Sequence, residues 1–205
     1  MSCVGAEGKQ KLKNMKLTQQ QEEKAATFSA TDIKPKQSNA NYRYYLKYME
    51  KGTLSTNTLY VVGLNPSTAD MNDPDHTMKL LIKYCVLNGY DSFVMFNLYP
   101  HRATEPNDMD KSVNNLEFNK NIDYIKKGLP QGATVLLCYG SNICKRSYLI
   151  DSLMKIRQIG EKKKVNWKCI GENEYGFPSH PIGEGHEEFK TCQYNKIREV
   201  HGQDK

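Results

Sequence analysis

Four short polar segments each follow an apolar run that reads as a strand: Gly63-Leu64-Asn65-Pro66-Ser67-Thr68-Ala69-Asp70, Asn97-Leu98-Tyr99-Pro100-His101-Arg102, Tyr139-Gly140-Ser141-Asn142 and Ser179-His180-Pro181. Asn, His, Arg, Asp and Ser can donate to, accept from or charge-stabilise a small polar ligand. Pro66 stiffens its turn and removes one competing donor. The N–H groups of Ser67 and Thr68 are then available to an anion or a carbonyl. Asp70, Asp73 and Asp75 offer carboxylates for general-base work or metal ligation, or simply negative charge at the start of the next helix. Their spacing matches no calcium loop, so no metal is assigned.

Each segment also has a plainer reading. Asn-Pro-Ser is an ordinary turn, His-Pro is common in loops, Asn97 can cap a turn and Arg102 can be a surface charge. The functional reading rests on joint placement, because turns have no need to carry Asn, His, Arg and Asp at the same end of a sheet. In open α/β sheets, ligands bind beyond the carboxyl ends of the strands.

The elements that would position these residues follow from hydrophobic period. Thr58–Val62, Ser92–Phe96, Thr134–Cys138 and Val165–Ile170 predict four buried strands. Between them, His76–Leu87 carries Met78, Leu81, Ile82, Cys85 and Val86 at helical spacing and stops at Gly89. A second helix is expected near Leu116–Lys127. A third starts at a Ser141 or Asn142 cap and runs to about Arg157. A short last helix is expected over Glu187–Val200. Strands alternating with helices predict an α/β three-layer sandwich, with a mainly parallel central sheet of about four strands covered on both faces.

The chain has 205 residues, 38% of them hydrophobic, and a net charge of +6. Residues 1–38 read as a mobile or weakly helical polar tail, and 39–201 as a single α/β domain. A core of about 160 residues buries a substantial interior. The positive charge admits a nucleic acid or a nucleotide as partner without requiring one. No run approaches the roughly 20 apolar residues of a membrane span, and the N-terminus has no secretory h-region. Cys3, Cys85, Cys138, Cys144, Cys169 and Cys192 form no CxxC pair. Reduced thiols, a cytoplasmic location, no zinc or iron–sulfur site and no cofactor are expected.

Tyr42-Arg43-Tyr44, Leu64-Asn65-Pro66-Ser67-Thr68-Ala69-Asp70, Asp73-Pro74, Gly89-Tyr90, Asn97-Leu98, Arg102-Ala103-Thr104 with Pro106, and His180-Pro181 together resemble the domain of unknown function 1643 family, over about residues 42–182. Departures are Asp75 in place of Thr, Asn121-Ile122 in place of Asn-Asp, and Tyr139-Gly140 in place of Trp-Gly. More distantly, the order of signals is similar to the uracil-DNA glycosylase superfamily. The matching signals are Gly63-Leu64-Asn65-Pro66, an apolar strand ending in Asn97, a strand ending in Tyr139-Gly140, and a late Ser179-His180-Pro181. Ile182 stands where that superfamily has Ser.

The second resemblance implies a uracil-DNA-glycosylase-like fold and the hydrolysis of an N-glycosidic bond on an extruded base. By it, Asn65 orients the attacking water, Asn97 hydrogen-bonds a base edge, His180 stabilises the departing base and Tyr99 stacks on a base. With Asp70 as the candidate carboxylate of the first turn, the candidate catalytic residues are Asn65, His180 and Asp70. The candidate binding residues are Pro66, Ser67, Thr68, Asn97, Tyr99, Arg102 and Ser179. Two other functions stay open: a non-catalytic nucleic-acid or nucleotide binder, which the basic balance and Arg102 suggest, and a hydrolase of a phosphorylated metabolite using Asp70, Asp73 and Asp75.

Overall fold

The structure is a computed structural model that describes residues 16–36, 40–67, 74–173, 175–182 and 188–192. Its elements are α1 (Gln19–Ala26), β1 (Phe28–Lys34), β2 (Tyr45–Glu50), β3 (Thr58–Gly63), α2 (His76–Leu87), β4 (Ser92–Asn97), α3 (Asn115–Gly128), β5 (Thr134–Leu137), α4 (Ser147–Lys162), β6 (Asn166–Cys169) and β7 (Lys190–Thr191). Short 3-10 turns lie at Pro106–Asp108 and Ser141–Lys145.

All strands join one sheet in the order β1-β2-β4-β3-β5-β6-β7. The four expected strands are the inner parallel block β4-β3-β5-β6. The sheet is nevertheless seven strands wide, not about four. Antiparallel β2 and β1 extend one side and β7 the other. These three are flanking strands, with less of their length buried. They lack the continuous apolar run that marks a strand packed on both faces. All six residues of β4 are buried, whereas β1 has one buried residue and β7 none.

Regular elements also precede residue 39. Thr18 and Gln21 form a reciprocal capping box that starts α1. Leu17 and Ala25, with Ala30 and Ile33 of β1, pack against the core. At the other end of the chain, Lys190–Thr191 is a strand paired with β6 rather than part of a helix. Residues 193–200 of the expected last helix lie outside the described residues. The 141–157 helix is interrupted: a 3-10 turn is followed by α4 from Ser147, with no side-chain cap.

The period-2 alternation of the strands splits the interior into two layers. Val62, Val94, Phe96, Val135 and Leu137 face Phe118 and Ile125 of α3 and Leu149, Leu153 and Ile156 of α4. Leu59, Val61, Phe93, Met95 and Leu136 face Met78, Leu81, Ile82 and Cys85 of α2. Helices thus cover both faces, as the alternation requires. The chain runs from β3 to β4 on one side and from β4 past β3 to β5 on the other. The segments leaving β3 and β5 therefore diverge, and a crevice opens between them at the carboxyl ends.

The carboxyl end of β4 is secured from below. Asn121, fully buried on α3, donates its side-chain amide to the carbonyls of Asn97 at 2.8 Å and Leu98 at 3.3 Å. Ser152 of α4 donates to the same Leu98 carbonyl. Asn121→Ala leaves the Asn97 carbonyl without this donor, so urea unfolding should show a loss of about 1–3 kcal/mol. An unchanged midpoint would show that Asn121 does not hold the strand end.

Candidate functional site

A cavity of about 640 Å³ opens at the carboxyl ends of β3, β4 and β5. Asn65, Pro66, Ser67, Asn97 and His180 all line it, so residues distant in sequence share one wall. Arg43, Asp75, Tyr139 and Asn142 line it as well.

The floor depends on Gly63. A Cβ at this position would lie 2.4 Å from the Met95 Cε and 2.9 Å from the Asn97 Oδ1. The bare backbone at the end of β3 therefore makes room for the Asn97 amide. Asn97 is only 2% exposed, and its Oδ1 has no hydrogen-bond partner among the described residues. A buried acceptor left unmet is costly, and a ligand donor in the cavity would satisfy it.

The Asn-Pro-Ser turn is knitted to the segment that follows β4. Leu98 N–H donates to the Gly63 carbonyl, Tyr99 N–H to Leu64 and Ala103 N–H to Pro66, at 2.9–3.1 Å. Asn65 adds its side chain, whose Nδ2 donates to the carbonyls of Pro66 (3.1 Å), His101 (3.4 Å) and Ala103 (2.9 Å). Only acceptors surround the amide nitrogen, which fixes the orientation of the group. Its Oδ1 is left as the acceptor for a ligand or a water.

Asp75 caps α2, accepting from Met78 N–H at 2.8 Å, and its other oxygen accepts from the Ser67 hydroxyl. The plainer role considered for this carboxylate is thus the one it performs, and it also brings negative charge to the cavity. Arg43 is 2% exposed. Burial, and then the nearby Arg102 charge, lower its pKa to about 10, against the opposing pull of Asp75. It remains a cation at neutral pH.

His180 lies in the segment after β6, held to the turn that follows β5 because Gly140 N–H donates to the Pro178 carbonyl at 3.0 Å. Gly140 has φ 67°, and a Cβ there would meet the His180 Cβ at 3.4 Å. The left-handed backbone and the close approach together favour glycine. Ile182 N–H donates to the His180 Nδ1 at 3.3 Å, so the neutral ring carries its proton on Nε2. Burial holds the imidazole pKa below 6.5, with Asp75 pulling the other way. The ring is therefore a neutral N–H donor at pH 7.

The remaining candidates lie elsewhere. Tyr99 is 0% exposed and outside the cavity wall. Its hydroxyl donates to Asp110 at 2.6 Å and accepts from Asn114 N–H at 3.0 Å, and its ring centroid lies 4.5 Å from that of Tyr148. Arg102 reaches the Ser67 and Ala40 carbonyls at 3.4 Å, behind the turn rather than in the lining. Ser179 is buried, with its N–H donating to the Gly171 carbonyl at 2.9 Å. Thr68, Asp70 and Asp73 lie outside the described residues. Among the described residues, thiol and carboxylate donors converge at Cys169, Glu172 and Cys192, none of which lines the cavity.

The lining residues that sequence reasoning did not assign, Arg43, Tyr139 and Asn142, were visible only as part of a family pattern or as a helix cap. No local signal marks an arginine as buried, because its burial is decided by which strands close around it. The arrangement offers two side-chain carbonyls, one imidazole N–H and a guanidinium. Such a set suits a flat, polar heterocycle carrying both donors and acceptors.

Two measurements check this geometry. Gly63→Ala should destabilise the protein by about 1–3 kcal/mol through overpacking against Met95 and Asn97. Stability should also carry a His180 contribution that is complete above pH 6.5, the unfolded value, and falls as pH drops through the lower folded pKa. His180→Asn should flatten the pH dependence of urea stability in that window. An equally steep dependence in the variant would show that another group produces it.

The family described as Protein of unknown function (DUF1643) matches residues 43–182. No curated protein and no solved structure matches the chain. The matched stretch begins at Arg43, ends at Ile182 and encloses every cavity-lining residue named above; the chain belongs to the DUF1643 family.

Proposed function

We propose that this protein is a nucleobase-recognising hydrolase that cleaves an N-glycosidic bond in the manner of a DNA glycosylase. The observation that carries the reading is the buried Asn97 Oδ1, without a hydrogen-bond partner among the described residues, on a cavity floor shared with Asn65 and His180. An acceptor of this kind matches a ring N–H of a pyrimidine, and the flanking Nδ2 matches the adjacent carbonyl.

The chemistry follows from the three side chains. Asn65, its nitrogen held by three backbone carbonyls, turns Oδ1 to accept a hydrogen bond from a water molecule and aim the water oxygen at the sugar C1′. As the C1′–N bond breaks, its electron pair passes to the base. The His180 Nε2–H stabilises that developing anion as a neutral donor, at no cost in proton transfer. The water oxygen bonds to C1′, and the proton it releases ends on the departing base. The products are the free base and a sugar bearing a hydroxyl. Arg43 adds positive potential that favours an anionic leaving group or a nearby phosphate.

The test is base release from oligonucleotides carrying uracil or damaged and modified pyrimidines, single-stranded and duplex, and from the free nucleosides. The wild-type chain should release a base from at least one. Asn65→Ala and His180→Ala should each slow release by roughly 10²–10³-fold, while Asn97→Ala should mainly weaken substrate binding. Binding without release across the whole panel would replace the enzyme reading with that of a binding protein. Release unaffected by Asn65→Ala would remove Asn65 from the mechanism.

A further inference from the structure

We propose that Cys169, Glu172 and Cys192 form a binding site for a soft divalent cation of the zinc type, with water completing the coordination. The three residues come from three segments. Cys169 ends β6, Glu172 lies three residues on in the loop that carries His180, and Cys192 follows β7. The β6–β7 register pairs Cys169 with Lys190, and Cys192 N–H donates to the Trp167 carbonyl at 3.2 Å. The two cysteines are therefore diagonal neighbours on the same face of an antiparallel pair.

The two Sγ atoms and a Glu172 carboxylate oxygen all lie within 4.8 Å of one another. Zinc binds thiolate sulfur at about 2.3 Å and carboxylate oxygen at about 2.0–2.2 Å, so a tetrahedral site spaces its donors about 3.5–3.8 Å apart. Small side-chain rotations close the difference. Cys169 is buried and Cys192 is 9% exposed. All three ligands would be anions when deprotonated, and gathering them around two buried sulfurs, with Glu172 half-buried, is unfavourable without a cation. A divalent cation supplies the missing charge. The carboxylate distinguishes this arrangement from a simple dithiol: a disulfide would use the two sulfurs and leave Glu172 without a role.

Neither sulfur belongs to a CxxC motif, and the ligands are close only because β7 pairs with β6. The location also has a consequence. Glu172 bridges to Pro178, and Ser179 N–H donates to the Gly171 carbonyl. A cation held at the base of this loop would tie β6, β7 and the His180 segment together. It would act as a structural clasp outside the cavity, and its presence does not depend on the activity proposed above.

The test uses the full-length chain, purified with a non-thiol reductant and titrated with zinc and, as a spectroscopic probe, with cobalt(II). The wild type should bind about one equivalent, show thiolate-to-cobalt charge-transfer absorption and unfold at a higher temperature with zinc present. Cys169→Ser, Cys192→Ser and Glu172→Gln should each weaken binding by more than about tenfold, while Cys144→Ser, at an exposed thiol, should leave it unchanged. The wild-type cobalt spectrum keeps the proposal falsifiable should a cysteine variant fail to fold. It is overturned if the wild type shows no thiolate–cobalt absorption, if zinc binding survives Cys169→Ser and Cys192→Ser, or if the two thiols form a disulfide in the presence of saturating zinc.

Discussion

The absence of a side chain at Gly63 is the constraint from which the rest of the site follows. Where β3 ends, a single methyl group on its backbone would collide with the Met95 side chain and the Asn97 amide of β4. Because that methyl is missing, a buried asparagine can turn into the space above the strand ends instead of being forced aside. The Met95 methyl can swing aside, but the strands on either side of Gly63 are fixed by their pairing. β3 lies at the centre of the parallel block, paired with β4 on one side and β5 on the other. Close-packed layers on both faces transmit any displacement to the helices rather than absorbing it.

Around this floor, backbone hydrogen bonds do most of the positioning. The turn after β3 is laced to the segment after β4, and Asn65 adds its own amide to that lacing. The residue with the greatest apparent chemical interest is thus also a structural tie. This arrangement preorganises its oxygen: the nitrogen is already committed, so no rotamer freedom is lost when a ligand or a water is accepted. His180 is handled similarly. One ring nitrogen accepts a backbone N–H, which determines the tautomer and leaves the other as the donor. The same burial that depresses its pKa keeps that donor neutral.

Electrostatics complete the site from two directions. Asp75 begins α2 and satisfies the helix N-terminus and the Ser67 hydroxyl. Arg43 contributes positive charge from the approach to β2. A carboxylate and a guanidinium thus line the same cavity, and each acts on the other.

The inner strands and α2 were legible from the sequence, because a continuous apolar run or a 3.6-residue period reports burial directly. Thr58–Gly63, Ser92–Asn97 and His76–Leu87 appear where those patterns place them. The polar tips of the inner strands were equally legible, and Asn65, Asn97 and His180 meet because parallel strands put their carboxyl ends side by side. Flanking strands gave no comparable signal. β1 and β7 bury little, and pairing with a neighbour, not side-chain pattern, makes them strands. Which way an individual residue faces was also undecided by type alone. Tyr99 follows the same strand as Asn97, yet its hydroxyl closes a hydrogen bond to Asp110 in the packed layer, while Arg43, flanked by tyrosines, enters the cavity wall. Local sequence determines period and turn chemistry; only the closing of distant segments on one another decides which side of a strand becomes interior and which becomes a site.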